Sequence, residues 1–132
     1  YATHDLHHIL MGFSLDNFGE LGVISVSVAQ FSHPGLAFTD LMSLLLNWFR
    51  DDTPIDELES HADKAHTTAY AFGRISEGLE MGANAQPLFA QPWEALMPRN
   101  LEDLRRELQI DAVTSGPWSW HSRPELIEAL KA

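Results

Sequence analysis

The sequence contains no cysteine, and this absence excludes several kinds of site at once. Without thiols the chain has no disulfides, no iron–sulfur cluster and no cysteine nucleophile. Any transition metal must therefore be bound by imidazole and carboxylate groups. The chain supplies both, because it has seven histidines and nineteen acidic residues.

Basic residues are also scarce, since eight of them face nineteen acidic ones and the formal net charge is −11. A field of this sign repels nucleic acids and anionic lipid head groups. We therefore expect no nucleic-acid partner, and we expect any membrane contact to be apolar.

Long apolar runs are missing as well. The most apolar stretch, residues 36–49, is interrupted by Thr39, Asp40, Ser43 and Asn47, and a membrane-spanning helix needs about 20 apolar residues.

What the chain does have is the composition of a folded protein. It has 132 residues, of which 45% are hydrophobic and 20% charged. This length fits one domain, residues 1–132, with a real hydrophobic core. Because the sequence opens at Tyr1 rather than at methionine, we expect a processed or truncated product.

Glycine and proline divide the sequence into segments with helical spacing. We predict an all-α fold with about seven helical segments and no strand. The valine-rich second segment would also suit a strand, but no partner strand is visible elsewhere. The predicted segments are residues 1–11, 14 or 16 to 31, 36–50, 53–81, 93–96 and 101–108, with a terminal helix from Pro124.

The first segment carries the strongest chemical signal. His4 and His8 are four residues apart, so a helix places both on one face, and Asp5 lies within the same arc. Glu20 follows the break after Gly12, so it would face the first helix if the chain reverses there. Two imidazoles with carboxylates suit zinc or another divalent ion, and we predict a metal site between the first two helices. Solvated or core histidines are the alternative.

Other polar residues have simpler interpretations. We expect His7 at the surface or beside the ligands, not as a fifth ligand. His61 and His66 lie on a polar segment, where we expect them to be solvated. Tyr70 and Arg74 are one turn apart and could orient a polar head group, although packing and a surface charge explain them equally well. No pair of Glu-x-x-His motifs occurs, so a ferritin-like di-iron bundle is unsupported.

The apolar segment at residues 36–50 has two interpretations. Leu41, Leu44, Leu45 and Trp48 have the pattern of a tunnel lining, but a buried core helix has the same pattern. We expect the core role first, and the two roles do not exclude each other.

The metal motif resembles that of a known family. His4-Asp5-x-x-His8, followed by eleven residues and Glu20, matches the pattern H-D-x2-H-x11-E of the Coq4 family of ubiquinone-biosynthesis proteins. The similarity covers residues 3–110. It includes Gly12, Phe18-Gly19-Glu20-Leu21, Tyr70-x2-Gly73-Arg74, Trp93-Glu94 and Leu101-x2-Leu104-Arg105-x2-Leu108-x-Ile110.

The resemblance implies a compact helical bundle with an apolar cavity for a polyprenyl tail beside the metal. It implies a lyase-type activity, the oxidative decarboxylation at C1 of a polyprenylated aromatic acid. The alternative is a non-catalytic prenyl-lipid-binding or scaffold protein of the quinone-biosynthesis complex. Zinc is the expected ion, with magnesium, manganese or iron as alternatives. The implied residues are His4, Asp5, His8 and Glu20 as ligands, Asp5 and Glu20 as catalytic groups, and Leu41, Leu45, Tyr70 and Arg74 as substrate contacts.

The resemblance also implies partners and a location. We expect a prenylated quinone precursor or a prenyl phosphate as ligand, other quinone-biosynthesis proteins as partners, a homodimer, and peripheral membrane contact. The location would be the cytoplasmic face of a bacterial inner membrane or, in a eukaryote, the matrix side of the mitochondrial inner membrane. The sequence departs from the family in two respects. His7 stands where relatives often have an aromatic residue, and the motif begins at residue 4, so we expect the family's N-terminal helices to be lacking.

Overall fold

A computed structural model describes residues 2–15, 17–49 and 67–114 of the chain. These residues are mostly helical and include no β-strand, so the all-α prediction is confirmed. The helices are α1 (Ala2–Met11), α2 (Asn17–Phe31), α3 (Pro34–Phe49), α4 (Thr67–Asn84), α5 (Trp93–Leu96) and α6 (Leu101–Glu107), with a 3-10 turn at Leu88–Ala90 between α4 and α5.

Gly12 ends α1 and allows the chain to turn back. Its φ of +80° is in the left-handed region, and its N–H donates to the carbonyl of His8 at 2.8 Å. A side chain at this position would also collide with the backbone, because an added Cβ would lie 2.3 Å from the carbonyl oxygen of Val113. Only glycine meets both conditions without strain. The turn brings α2 beside α1, as the sequence predicted.

The short connection between α2 and α3 explains why α3 begins two residues before its predicted start. Ser32 has a φ of +48° and donates its N–H to the carbonyl of Val28, which ends α2. His33 then acts as the cap of α3, because its Nδ1 accepts from the N–H of Gly35 at 3.0 Å. Pro34 occupies the first helical position, where its missing N–H costs nothing.

Helices α2 and α4 approach each other through small residues. An added Cβ on Gly78 would lie 2.3 Å from the carbonyl oxygen of Gly22 and 2.7 Å from Cβ of Ser25. The two backbones therefore lie closer than side chains would allow. Helix α4 ends at Asn84, three residues after its predicted end. The part of that prediction before Thr67 lies outside the described residues, as do His61, His66 and the predicted helix from Pro124.

The core lies where the end of α1 meets α2, the end of α4 and the α6 region. Its members are buried apolar side chains from five separate parts of the chain. They are Leu10, Met11, Phe13, Val23, Val26, Met81, Leu88, Leu104, Leu108, Ile110 and Val113. A second cluster joins α2, α3 and α4 through Phe18, Leu21, Leu44 and Ala71. The first cluster fixes the end of α1, and the second fixes the beginning of α2.

Helix α3 differs from the prediction that places it mainly in the core. Leu44 is buried, but Leu41 and Leu45 are 51% and 37% exposed, and Phe38 is 63% exposed. The prediction of a core role is therefore wrong for Leu41 and Leu45. An apolar helix pattern shows which residues share a face but not whether another element covers that face.

A polar contact joins α3 to α2 inside the protein. The hydroxyl of Ser25 donates to Oδ2 of Asp40 at 2.6 Å, and both residues are buried. Burial raises the pKa of the Asp40 carboxyl, and the hydrogen bond from Ser25 opposes this effect only in part. The single charged residue of α3 therefore points inward, and the exposed side of the helix has no charge.

None of the helices in the part of the chain that the structure describes has the length and apolar character needed to cross a membrane.

Candidate metal centre

Three side chains from α1 and α2 converge at one point. Nε2 of His4 lies 3.1 Å from Oε2 of Glu20, and Nε2 of His8 lies 3.1 Å from Oε1 of the same carboxylate. The two Nε2 atoms are 3.2 Å apart. One donor atom from each residue lies within 4.8 Å of the others, and among the described residues this is the group that could hold a metal ion.

The local sequence explains this convergence. His4 and His8 are one turn apart on α1 and so project from the same face. Glu20 lies in the first turn of α2, and the reversal at Gly12 brings that turn beside the histidines. The predicted position of Glu20 opposite the histidine pair is therefore what the structure has.

The three donors differ in their exposure. The side chain of His8 is fully buried, whereas those of His4 and Glu20 are 45% and 36% exposed. The site is therefore closed where His8 lies and open to solvent where His4 and Glu20 lie. A small molecule or a head group can approach the open side without any movement of the core.

The ring of His8 is oriented from behind by the backbone. Its Nδ1 lies 3.3 Å from the carbonyl oxygen of Phe13, to which it can donate. A hydrogen bond at Nδ1 directs Nε2 toward His4 and Glu20, which is the arrangement that metal-binding histidines commonly have. A backbone carbonyl carries no residue-type signal, so this partner could not be predicted from the sequence.

The charges in the site are strongly coupled. Burial alone lowers the pKa of His8, but the hydrogen bond and charge of Glu20, with the backbone at Phe13 and Ser14, outweigh it and raise the pKa above its usual value. The hydrogen bond from His8 lowers the pKa of the Glu20 carboxyl, and the charges of His8 and His4 act in the same direction. A divalent cation binds neutral imidazole and ionised carboxylate, so it would take the place of the proton that His8 and Glu20 share in the absence of metal.

The other predicted site residues are not among the three converging donors. Asp5 is on α1 but exposed, and it is not among the three converging donors, so its role as a ligand stays a prediction. Arg74 forms an ion pair with Glu77 on the same helix. Tyr70 lies in the first turn of α4. Ala71, between them, packs in the cluster of Phe18 and Leu21, so this end of α4 lies near the end of α2 that carries Glu20.

Of the two positions predicted for His7, at the surface or beside the ligands, the surface position is wrong. It is 2% exposed, and its ring makes edge contacts with Phe89 at 5.1 Å and Trp93 at 5.4 Å between centroids. Nε2 of His7 has no hydrogen-bond partner among the described residues. Burial lowers the pKa of His7 to about 4, and the charges of His4 and His8 add to this effect. His7 is therefore a neutral core residue behind the donors, not a surface residue.

The donor set fits a divalent transition metal. Two imidazole nitrogens and a carboxylate are ligands of zinc and of non-haem iron(II), and the orientation of His8 by the Phe13 carbonyl supports this use. Three protein donors with an open side also leave room for a bound substrate.

Comparison with known proteins finds a matching protein family. The family model described as Coenzyme Q (ubiquinone) biosynthesis protein Coq4 matches residues 2–114 of the chain. This range includes all three converging donors as well as the end of α6. No curated protein and no solved structure matches the chain significantly.

Proposed function

The chain belongs to the Coq4 family of ubiquinone-biosynthesis proteins and has a role in that pathway, and on this premise we propose that it is a metal-dependent enzyme acting on the head group of a polyprenylated aromatic acid. The reaction is an oxidative decarboxylation at C1. The observation that supports this proposal is the convergence of His4, His8 and Glu20 at a point with one buried and one open side.

The proposed reaction replaces the C1 carboxyl group by a hydroxyl group. The bond between C1 and the carboxyl carbon breaks, this carbon leaves as CO₂, and a C–O bond forms at C1. With dioxygen as the oxidant, one oxygen atom enters the product and the other becomes water. This balance also requires two electrons and two protons, so we include a two-electron donor as a co-reactant.

His4, His8 and Glu20 would hold the metal ion, and when bound the ion would supply a Lewis acid for the oxygen atoms of the head group. Burial of His8 and its contact with Phe13 keep one donor fixed. His4 and Glu20 lie on the side from which the head group would arrive. Because zinc has no redox chemistry, the oxidative form of the reaction predicts iron(II) or manganese(II) in the active protein instead of zinc.

The experiment is a combined measurement of metal content and turnover. The protein would be purified without a metal-affinity step and submitted to elemental analysis. It would then be incubated with a polyprenylated 4-hydroxybenzoate labelled at the carboxyl carbon, a reductant and dioxygen. We expect a stoichiometric divalent metal, release of labelled CO₂ and a product hydroxylated at C1. An oxygen-free sample is the control. A metal-replete protein that binds the labelled acid and releases no CO₂ would contradict the enzymatic proposal.

A second candidate is a non-catalytic prenyl-lipid-binding or scaffold protein of the same pathway. The observation that favours it is the uncharged, exposed side of α3. The exposed residues there are Phe38, Leu41, Met42, Leu45 and Leu46. Such a surface suits a polyprenyl chain, an apolar membrane contact or another protein of the pathway. In this candidate the ion would be structural or would bind a prenyl phosphate.

A further inference from the structure

Helix α1 carries two of the three converging donors, and its C-terminal end is held by residues far away in the sequence. The last four carbonyl groups of a helix have no partner within it. In α1 these belong to His8, Ile9, Leu10 and Met11. All four have partners in this structure. The carbonyl of His8 accepts from Gly12, and that of Met11 accepts from the N–H of Val113, both at 2.8 Å.

The two carbonyls between them accept from a single side chain. Nε of Arg105 donates to the carbonyl of Leu10 at 2.8 Å, and Nη2 donates to the carbonyl of Ile9, also at 2.8 Å. Arg105 lies on α6 and is 5% exposed. Its Nη1 also forms an ion pair with Glu102 at 2.6 Å. One rigid guanidinium therefore joins α6 to two consecutive carbonyls at the end of α1.

The chemistry of this contact suits arginine in particular. The guanidinium is planar and has several N–H donors in a fixed arrangement, so it can reach two neighbouring acceptors at once. Its positive charge also lies at the negative end of the helix dipole. A lysine has the same charge, but its ammonium group is a point charge on a flexible stem and does not fix the direction of α1 in the same way.

The position of α1 decides whether the donors converge. A shift of α1 by one residue would translate its side chains by about 1.5 Å and rotate them by about 100°. Metal sites tolerate about 0.2 Å in their bond lengths. His8 lies in the same last turn that Arg105 holds, and Glu20 lies on another helix. The orientation of the histidines toward Glu20 thus depends on what holds the end of α1.

We propose that Arg105 is a positioning residue for the metal centre. By binding the carbonyls of Ile9 and Leu10 it holds α1 in the register that directs His4 and His8 at Glu20. This inference rests on the proposed function for the metal, but the contact of Arg105 with α1 does not.

The test compares Arg105→Met and Arg105→Lys with Arg106→Met. Arg106 is the neighbouring arginine, 77% exposed at its side chain and paired with Asp103 on the same helix. Zinc ions alone are the probe, and affinity is measured by competition with a chromogenic chelator at a temperature where circular dichroism shows each variant fully folded. We expect Arg105→Met to bind zinc about tenfold or more weakly, the scale on which outer partners of ligands act. Arg105→Lys should lie between Arg105→Met and the unchanged protein, and Arg106→Met should match the unchanged protein.

A second readout does not require metal binding. Ring signals of His8 and His33 in nuclear magnetic resonance spectra are compared in chelator-treated protein. We expect Arg105→Lys to move or broaden the His8 signals, while those of His33, which is exposed and follows the opposite end of α2 from Glu20, stay unchanged. If the unchanged protein binds no divalent metal, the proposed function fails and the His8 signals still decide the role of Arg105. Folded Arg105 variants with unchanged His8 signals would overturn the proposal. Failure of Arg105→Lys to fold would also overturn it, since Arg105 would then be required by the whole fold.

Discussion

The buried histidine is the donor that should matter most for metal affinity. The side chain of His8 is fully buried and held by the carbonyl of Phe13, whereas His4 is partly exposed and has more freedom. We predict that His8→Ala loses stoichiometric divalent metal, as measured by elemental analysis. His33→Asn is the control, because His33 is exposed and a cap of α3, where asparagine is also accepted. A double variant His4→Ala/His8→Ala that keeps full metal occupancy would contradict the assignment.

Acid should weaken the same site. The pKa of His8 is raised by Glu20, so a proton competes with the metal for its Nε2 from a higher pH than for a free imidazole. We expect zinc affinity to fall as the pH is lowered through and below the usual histidine range. A competition titration at several pH values measures this. An affinity that is independent of pH in this range would argue against imidazole ligands.

His7 makes a separate prediction about acid stability. Its pKa is about 4 in the folded protein and about 6.5 when unfolded, so the unfolded chain binds the extra proton first. The contribution of neutral His7 to the free energy of unfolding is therefore fully present above pH 6.5 and is lost as the pH falls toward 4. The loss is about 3 kcal/mol at pH 4. We expect His7→Phe, which keeps an aromatic ring beside Phe89 and Trp93, to lose less of its free energy of unfolding.

The measurement is urea denaturation at pH 7 and pH 4 in the presence of a chelator, for the unchanged protein and for His7→Phe. Other groups, Glu20 among them, also lose stability in acid, so the difference between the two proteins is the relevant quantity. An equal loss in both proteins would show that His7 does not titrate as a buried neutral group.

At the scale of the helices, the close approach of α2 and α4 leaves no room for a side chain at Gly78. A Cβ on Gly78 would lie 2.3 Å from the carbonyl oxygen of Gly22, so we expect Gly78→Ala to destabilise the protein by about 1–3 kcal/mol. Gly73→Ala on the same helix is the matched control. An added Cβ at Gly73 has no atom within 4 Å, and we expect a gain of about 0.5–1 kcal/mol from helix propensity. Chemical denaturation measures both, and equal stabilities would contradict the packing argument.

Local sequence predicted the ends of the helices well where single residues decide them. Gly12 ends α1 as predicted, because backbone conformation at this position depends on the residue itself. The break between α2 and α3 was also predicted, but Pro34 was expected within the break and instead opens the helix. The 3-10 turn at Leu88–Ala90 was not predicted, since three residues show no period. The exposed side of α3 was not predicted either. A sequence pattern gives the apolar face of a helix, but the element that covers the face comes from elsewhere in the chain.

The candidate site divides in the same way. The convergence of His4, His8 and Glu20 was predictable, because it depends on helical spacing and one nearby reversal. The burial of His7 was not predictable, since it depends on Phe89 and Trp93, more than eighty residues later. The contact of Arg105 with α1 spans a similar distance. Sequence thus predicts the donors and misses the residues that hold them.

At the scale of the whole molecule, the exposed apolar side of α3 makes a prediction about ligands. We expect a long-chain prenyl precursor to raise the melting temperature far more than a short-chain analogue with the same head group, because each buried CH₂ contributes about 0.8 kcal/mol. Leu41→Ser/Leu45→Ser should reduce the shift caused by the long chain. Leu79→Ser is the control, since Leu79 is a similarly exposed leucine on α4. Equal shifts for short and long tails would contradict an apolar binding surface.

The last prediction separates an enzyme from a scaffold. Glu20 is partly exposed and approaches the histidines from a second helix, and Glu20→Gln keeps its shape while removing its charge. If the metal is catalytic, we expect this variant to keep much of its metal and its melting temperature but to lose conversion of the prenylated acid. If the metal is structural, metal content and melting temperature should fall together. Metal content, melting temperature and conversion of the prenylated acid are measured on one preparation. The same variant is tested for rescue of quinone synthesis in cells that lack their own Coq4-family protein. A Glu20→Gln protein that keeps its metal and restores normal quinone levels would exclude the catalytic role and leave binding or scaffolding.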